Sequence, residues 1–355
     1  MPMPSWFGKA RGPQGPPADA WRVIGSSVRG ASHVRAGLEN QDAIGWVPAE
    51  GIGARVVVSV ADGHGSPKSF RSATGARFAV EVSQALAAEL LTAPGGRVEL
   101  SWVKDRLEQD APRRIVRDWR ARVKEDLARS PFTDEEFAAV RERDGHKGQE
   151  AVISDPYLAY GSTLVTAVAT STFMAFWQIG DGDVLTVSAS GAGRPLAGDD
   201  RLIANETTSL CSAEAWRLFR VAVFGTPAPL IMVSTDGFAN SFLDDQGFFR
   251  FGSDILRMMA AEGVDAVDGR LSGWLDEMTQ AGSGDDISLA IACRPSELPP
   301  EQALAEPARQ ADPADPADAA VPGDPAQAGP EHLRADQPVP SRTRLDFPDR
   351  TVPDL

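Results

Sequence analysis

The stretch that decides the fold is Val56-Val57-Val58-Ser59-Val60-Ala61, followed directly by Asp62-Gly63-His64-Gly65. Four valines in six positions predict a buried β-strand, and the two glycines after it predict a tight turn. The pattern therefore places an aspartate at the end of a rigid element.

The same arrangement recurs twice later in the chain. The apolar run 230–235 leads into Asp236, and Asp285 comes shortly before an apolar strand predicted at residues 287–292. Acids that occupy strand ends far apart in sequence predict one shared site.

A fourth acid joins this set near the beginning of the chain. Asp42 stands at the start of a strand predicted at residues 43–47. If this strand pairs with the one that ends before Asp62, the two carboxylates face the same region, because consecutive strands are commonly neighbours.

The remaining chain alternates between strand and helix patterns. Further strands are predicted at residues 21–28, 162–169, 172–179, 184–189 and 220–224, those between 162 and 189 forming a meander. Helices are predicted within residues 66–91, 98–129, 132–143, 238–242, 251–261 and 267–280. Polar loops are predicted from Gly30 to Asp42 and over residues 144–155. Strands on both sides of a helical middle favour an α+β fold in which largely antiparallel sheets are covered by helices.

Composition divides the 355 residues into three parts. Residues 1–20 form a predicted flexible leader, and residues 21–294 a predicted large domain with a helical insertion at about 98–155. Residues 295–355 hold 13 of the 27 prolines, with 12 acids against five arginines. Such a segment buries too little apolar surface to offset its chain entropy, so we expect a disordered acidic tail.

The formal charge of −15 argues against nucleic-acid binding, which depends on Lys and Arg neutralising phosphates. No segment has the roughly 18 apolar residues needed to span a bilayer, and no secretory signal is apparent, so we expect a cytoplasmic protein with no membrane partner. Cys211 and Cys293 lack metal-ligand spacing. We expect them to be buried thiols in a reducing compartment, the alternative being a disulfide.

The chemistry that acids at strand ends can perform is limited. The sequence lacks a Walker phosphate loop, a Gly-x-Ser-x-Gly elbow and a His-Glu-x-x-His motif. Oxygen ligands select hard cations such as Mg²⁺ or Mn²⁺. Two such ions that share a water lower its pKa and hold a phosphoryl group for in-line attack.

Six segments together resemble the ordered motifs of a known family. They are Gln41-Asp42, Ala61-Asp62-Gly63-His64-Gly65, Gly161-Ser162-Thr163, Ile179-Gly180-Asp181, Ser234-Thr235-Asp236-Gly237 and Gly284-Asp285-Asp286-Ile287-Ser288. In sequence and order they resemble the type 2C, metal-dependent protein serine/threonine phosphatases, over about residues 24–293. The segments Gly30-Ala31-Ser32-His33 and Asn40-Gln41-Asp42-Ala43 are most similar to the divergent bacterial branch of that family.

The resemblance implies a central antiparallel β-sandwich flanked by helices, with two Mn²⁺ or Mg²⁺ ions at one end and a third, weaker ion beside them. It implies that Asp62 binds both main ions and that the Gly63 carbonyl binds one of them. Asp236 and Asp285 would complete the ligands of the first ion, and Asp42 would assist at the second, largely through water. Asp181 and Asp236 would hold the third ion. For Asp181, ordinary turn chemistry is the alternative.

The resemblance also implies an activity. A metal-bridging hydroxide would attack phosphoserine or phosphothreonine of a protein substrate in line, with no phospho-enzyme, and so oppose a serine/threonine kinase. His64 would protonate the leaving oxygen, a role that suits the near-neutral pKa of histidine; the alternative is a polar turn residue.

Three departures from the family pattern bear on this activity. Gln41 stands where the family usually has Glu, and Asp286 where it usually has Asn, a change that adds a ligand or has no effect. The expected phosphate-binding arginine is absent at position 37, and Arg35 is the nearest candidate, the alternative being an ordinary surface arginine. Gln41 and the missing arginine motivate a second hypothesis, a weakly active or inactive phosphatase-fold module that binds phosphoproteins.

Overall fold

Two antiparallel sheets are built from the strands of the computed structural model, which describes residues 19–92, 99–196 and 208–300. The strands are β1 (Trp21–Val28), β2 (Ala43–Val47), β3 (Ile52–Gly53), β4 (Val56–Ala61), β5 (Leu164–Ala169), β6 (Met174–Ile179), β7 (Asp183–Ser188), β8 (Gly191–Gly193), β9 (Arg220–Phe224), β10 (Leu230–Ser234) and β11 (Ile287–Cys293). One sheet has the order β3-β1-β11-β10-β7-β8 and the other β2-β4-β5-β6-β9. The described residues belong to a single compact unit.

Eight α-helices accompany the sheets within the described ranges. They are α1 (Ala31–Ala36), α2 (Ser72–Leu91), α3 (Leu100–Gln109), α4 (Ala111–Arg129), α5 (Asp134–Ser154), α6 (Asp236–Ala239), α7 (Asp245–Glu262) and α8 (Val264–Ala281). Most of the leader predicted at 1–20 and of the tail predicted at 295–355 lies outside the described residues. No helix that the structure describes is both long and apolar enough to cross a membrane.

The strands sort their side chains by alternation. In β4, Val56, Val58 and Val60 pack between the two sheets, whereas Val57 belongs to the core that lies against α2 and α4. A third core lies between the six-stranded sheet and the pair α7 and α8. The predicted α+β fold, an antiparallel sandwich flanked by helices, is confirmed.

The predicted meander over residues 162–189 is wrong. β5 and β6 pair with each other, but β7 pairs with β10 in the other sheet. Gly180, with a φ of +100°, turns the chain between β6 and β7. This backbone conformation suits glycine because it has no Cβ.

Two predicted loops contain helix instead. The segment from Gly30 to Asp42 includes α1, which has only six residues and buries none of them, so no apolar stripe marks it. Residues 144–155 are almost wholly part of α5, which continues past a kink at Gly145, where φ is +71°. α5 begins with a capping box between Thr133 and Glu136, as expected for a Thr-x-x-Glu start.

The helical stretch 98–155 is tied to the rest of the domain by a partly buried ion pair. Arg71, just before α2, donates from Nε and Nη2 to the two carboxylate oxygens of Glu136 in α5, at 2.7 and 2.9 Å. The guanidinium also donates to the Tyr160 hydroxyl at 2.9 Å and stacks on the ring of Phe132. Bidentate geometry and low exposure make this pair stronger than a surface salt bridge.

The strands β3 and β8 were not predicted because two or three residues are too few to show alternation. Cys211 and Cys293 are both buried free thiols, as expected.

Candidate active site

One edge of the sandwich collects the predicted acids because antiparallel pairing brings strand ends and strand starts together. Ala43 at the start of β2 pairs with Ala61 at the end of β4, and Leu289 near the start of β11 pairs with Ser234 at the end of β10. Residues that follow β4, β6 and β10 therefore meet residues that precede β2, β7 and β11.

A cavity of about 360 Å³ opens at this edge. It is lined by Ser32, His33, Gln41, Asp62, Gly63, His64, Gly65, Asp181, Asp236, Ser283 and Asp285. Carboxylate oxygens of Asp62, Asp181 and Asp236 lie within 4.8 Å of one another. The predicted convergence of distant aspartates is thus present in the structure.

The backbone of Asp62 is held by two hydrogen bonds to Thr163. Its N–H donates to Thr163 Oγ1 at 2.9 Å, and its carbonyl accepts from the Thr163 N–H at 2.8 Å. The next residue, Gly63, packs so closely that a Cβ there would lie 2.7 Å from the Gln41 carbonyl oxygen and 2.8 Å from that of Ser72. Only glycine fits this position without displacing backbone.

Asp42 lies behind the cavity wall and is held by the loop after β10. The Thr235 hydroxyl donates to Asp42 Oδ2 at 2.7 Å and accepts from the Ser288 N–H at 2.9 Å. Asp42 Oδ1 is buried and has no hydrogen-bond partner. A buried carboxylate oxygen in this state is costly unless a cation or proton satisfies it.

Asp236 is the first residue of α6, and Asn240 one turn later donates to its Oδ2 at 3.0 Å. The following Gly237 allows α6 to pack on the chain before β11, because a Cβ there would lie 2.2 Å from the Asp286 carbonyl oxygen. The glycine in the Asp-Gly pair thus brings Asp236 and Asp285 to the same wall.

The acids repel one another strongly. Burial raises the pKa of Asp62 well above its usual range, and the charges of Asp42, Asp236, Asp285 and Asp181 raise it further. Burial, followed by the charges of Asp181 and Asp285, raises the pKa of Asp236 to about 6. Without compensation, several of these carboxylates would be protonated or would destabilise the fold at neutral pH.

The donor set fits hard divalent cations. Every nearby side-chain ligand atom in the Asp62, Asp181 and Asp236 cluster is a carboxylate oxygen. Oxygen ligands suit Mg²⁺ and Mn²⁺. Cations at this edge would also remove the repulsion that raises the carboxylate pKa values.

His64 enters the cavity from the wall formed by β4 and β5. Its backbone N–H donates to the Gly161 carbonyl at 3.0 Å, and the space that a Cβ of Gly161 would need is taken by the imidazole. Burial lowers the pKa of His64, and the charge of Asp181 opposes this effect.

Arg35 is exposed on α1 and does not line the cavity. Its Nη2 lies 4.0 Å from where a Cβ of Gly284 would be, so it borders the loop that carries Asp285. Its phosphate-binding role stays a prediction. Gln41 lines the cavity, and its Oε1 is buried without a hydrogen-bond partner.

The pairing of His33 with Asp286 was not predicted from the sequence. His33 Nδ1 lies 2.9 Å from Asp286 Oδ2, and the two residues are 253 positions apart. Asp286 is not among the residues that line the cavity. The signals that could have indicated the pair were the Gly-Ala-Ser-His segment and the acid at a position where the family usually has Asn.

The sequence was compared with protein-family models. Residues 29–276, more than two thirds of the chain, match the model described as Protein phosphatase 2C. The chain belongs to the protein phosphatase 2C family. This family is metal-dependent, in agreement with the acid cluster of this member.

Solved structures of other proteins resemble this 2C family member at low sequence identity. A serine/threonine phosphatase of S. agalactiae is 17% identical, with a TM-score of 0.44 and coverage of 77% of this chain and 99% of the other. The Mycobacterium tuberculosis phosphatase PstP/Ppp is 17% identical, with a TM-score of 0.45 and coverage of 77% and 98%. PppA, a regulatory component of T6SS in Pseudomonas aeruginosa, is 14% identical, with a TM-score of 0.43 and coverage of 77% and 97%. Among curated proteins, no sequence matches the chain.

Proposed function

We propose that the chain is a Mn²⁺- or Mg²⁺-dependent phosphatase that hydrolyses phosphoserine and phosphothreonine in proteins. The observation that carries this proposal is the convergence of Asp62, Asp181, Asp236 and Asp285 in one cavity together with His64. A cavity with this charge repels a phosphate dianion unless divalent cations lie between the two, so phosphate chemistry and metal dependence are proposed together.

In this proposal Asp62, the Gly63 carbonyl, Asp236 and Asp285 would hold two main ions, and Asp42 would assist at the second, largely through water. Asp181 would serve a third, weaker ion with Asp236. When bound, divalent ions lower the pKa of water and neutralise phosphoryl oxygens.

The net reaction transfers the phosphoryl group to water. The bond between phosphorus and the serine or threonine oxygen breaks, a bond between phosphorus and a water oxygen forms, and the leaving oxygen takes a proton from His64. The pKa lowered by burial makes the protonated imidazole a stronger acid.

The proposal extends to the biological setting. A phosphoprotein made by a serine/threonine kinase would be the substrate, and the cytoplasm would be the location. The alternative is a phosphatase-fold module with little turnover that binds phosphoproteins.

Hydrolysis of p-nitrophenyl phosphate and of a phosphothreonine peptide tests the proposal. We expect turnover with Mn²⁺, loss of turnover with excess EDTA, and a loss of at least a hundredfold in Asp62→Ala. Asp276→Ala, an exposed aspartate on α8, is the matched control and should retain wild-type turnover. Absent or metal-independent turnover in a folded sample would contradict the proposal and favour the binding module.

A further inference from the structure

His33 and Asp286 form a buried pair at the cavity that the proposed reaction does not yet use. The Asp286 side chain is 3% exposed and that of His33 is 13% exposed. Asp286 Oδ1 accepts from the Gly30 N–H at 2.6 Å, and Oδ2 accepts from the Gln41 N–H at 2.6 Å. The carboxylate is therefore fixed by two backbone donors before it meets the imidazole.

These backbone bonds define which nitrogen of His33 carries a hydrogen. Because Asp286 acts as an acceptor toward both N–H groups, it also accepts from His33 Nδ1, and Nδ1 is the donor. Nε2 makes no hydrogen bond to any residue that the structure describes. The ring lines the cavity, so Nε2 is the polar atom that His33 can offer to a ligand there.

The cavity has few groups that suit an anion. Four aspartates line it, and no lysine or arginine does so among the described residues. The His64 N–H donates to the Gly161 carbonyl, whereas His33 lies on α1, whose Ser32 donates to the Gly284 carbonyl. Two imidazoles carried by different segments therefore line the same cavity as the acids.

We propose that His33 contacts the phosphoryl group of the substrate through Nε2, with Asp286 as the positioning residue that holds the ring. This inference rests on the proposed phosphatase function. It assigns an anion contact to His33, which lines the cavity, whereas Arg35 is exposed and is not among the lining residues. The contact needs one proton between Nε2 and a phosphoryl oxygen, and either the phosphate monoanion or the imidazolium can carry it.

The chain offers a pair of substitutions that separate this contact from a structural role. In His33→Asn the amide nitrogen stands near the position of Nδ1 and keeps the bond to Asp286, but Nε2 is lost. In His33→Gln the amide nitrogen stands near the position of Nε2. His146→Gln, at an exposed position on α5, is the control for loss of an imidazole elsewhere.

Kinetics with Mn²⁺ and p-nitrophenyl phosphate provide the first test. For His33→Asn we expect the KM and the inhibition constant of inorganic phosphate to rise about tenfold, which corresponds to about 1.4 kcal/mol. The kcat should change less than threefold, and the Tm and the calorimetric affinity for Mn²⁺ should match wild type. His33→Gln should recover part of the loss, and His146→Gln should behave as wild type. If KM and the inhibition constant of His33→Asn stay within twofold of wild type, or if Mn²⁺ affinity falls instead, the inference is wrong.

A binding measurement distinguishes this inference from the proposed function. Calorimetric titration of inorganic phosphate into the Mg²⁺-loaded protein needs no turnover. One outcome is that the wild type binds phosphate but does not hydrolyse substrate, while His33→Asn binds phosphate about tenfold more weakly. The proposed activity then fails and the contact stands. If the wild type and His33→Asn bind phosphate equally, or neither binds it, the contact is refuted.

Discussion

Replacing Asp236 by asparagine is expected to stabilise the metal-free protein, although it removes a proposed metal ligand. The pKa of Asp236 rises from its ordinary 3.8 to about 6 in the fold, chiefly because of burial and then of the charges of Asp181 and Asp285. At about 1.4 kcal/mol per pKa unit, the ionised carboxylate costs about 3 kcal/mol of folding free energy at pH 8.

Asparagine keeps the shape of the side chain and removes its charge. The substitution weakens the hydrogen bond from Asn240 and removes the favourable interaction of a negative charge with the N-terminus of α6. Together these losses offset about 1–2 kcal/mol of the gain in folding free energy. The net stabilisation is about 1–2 kcal/mol, equivalent to a rise in Tm of about 2–5 °C.

The pH dependence of this effect has a definite sign. The folded-state pKa lies above the unfolded value, so the cost of Asp236 is absent below about pH 4, grows as pH rises, and is complete above the folded pKa of about 6. The Tm advantage of Asp236→Asn should therefore be largest at pH 8 and shrink toward pH 5.

Thermal unfolding in EDTA at pH 5, 6.5 and 8 is the assay, with Asp276→Asn on the exposed face of α8 as the matched control. Saturating Mn²⁺ should reverse the order, because wild type then gains more binding free energy than the variant. A Tm of Asp236→Asn at or below wild type at pH 8 in EDTA, or a difference that does not change with pH, would refute the electrostatic account.

Three further predictions concern metal, packing and the helical stretch. Mn²⁺ or Mg²⁺ added to EDTA-treated protein should raise Tm as the metal concentration rises. At a metal concentration of a hundred times Kd, the free energy of unfolding should increase by about 2.7 kcal/mol. A Tm that does not change with metal concentration would count against a metal site. Gly63→Ala should lose this metal-induced rise in Tm, because its Cβ would lie 2.7 Å from the Gln41 carbonyl oxygen; a wild-type metal response would contradict this. Glu136→Gln should lower the free energy of unfolding, measured in urea, by about 2 kcal/mol because Arg71 loses its bidentate partner. Glu81→Gln, which removes the charge from an exposed ion pair with Arg77, should change it by less than about 0.5 kcal/mol. Equal effects would show that burial of the Arg71–Glu136 pair is unimportant.

Much of the sandwich could be predicted from local pattern. The bounds of β1, β2 and β4 agree with the sequence because apolar and β-branched residues recur in these strands, which are followed by Arg29, Pro48 and Asp62. The gathering of the acids was also predictable, because each acid adjoins a strand end and antiparallel pairing brings such ends together.

Other features depend on contacts that no local window contains. The sheet that β7 joins is determined by the turn at Gly180 and by pairing with β10, which is distant in sequence. The six residues of α1 bury no side chain and so leave no periodic signal. The bond between His33 and Asp286 joins opposite ends of the domain sequence, and only the pairing of β1 with β11 brings them into contact.

The origin of the cavity acids has a mechanical consequence. Asp42 and Asp62 adjoin strands of the five-stranded sheet, Asp236 and Asp285 adjoin strands of the six-stranded sheet, and Asp181 lies in the link between the sheets. A cation shared by these groups would cross-link two layers whose facing surfaces otherwise meet through apolar side chains. Removal of the cation by a chelator would then weaken the contact between the two sheets at this edge. Backbone amide hydrogens at this edge should exchange with solvent faster than those at the far end of the same strands.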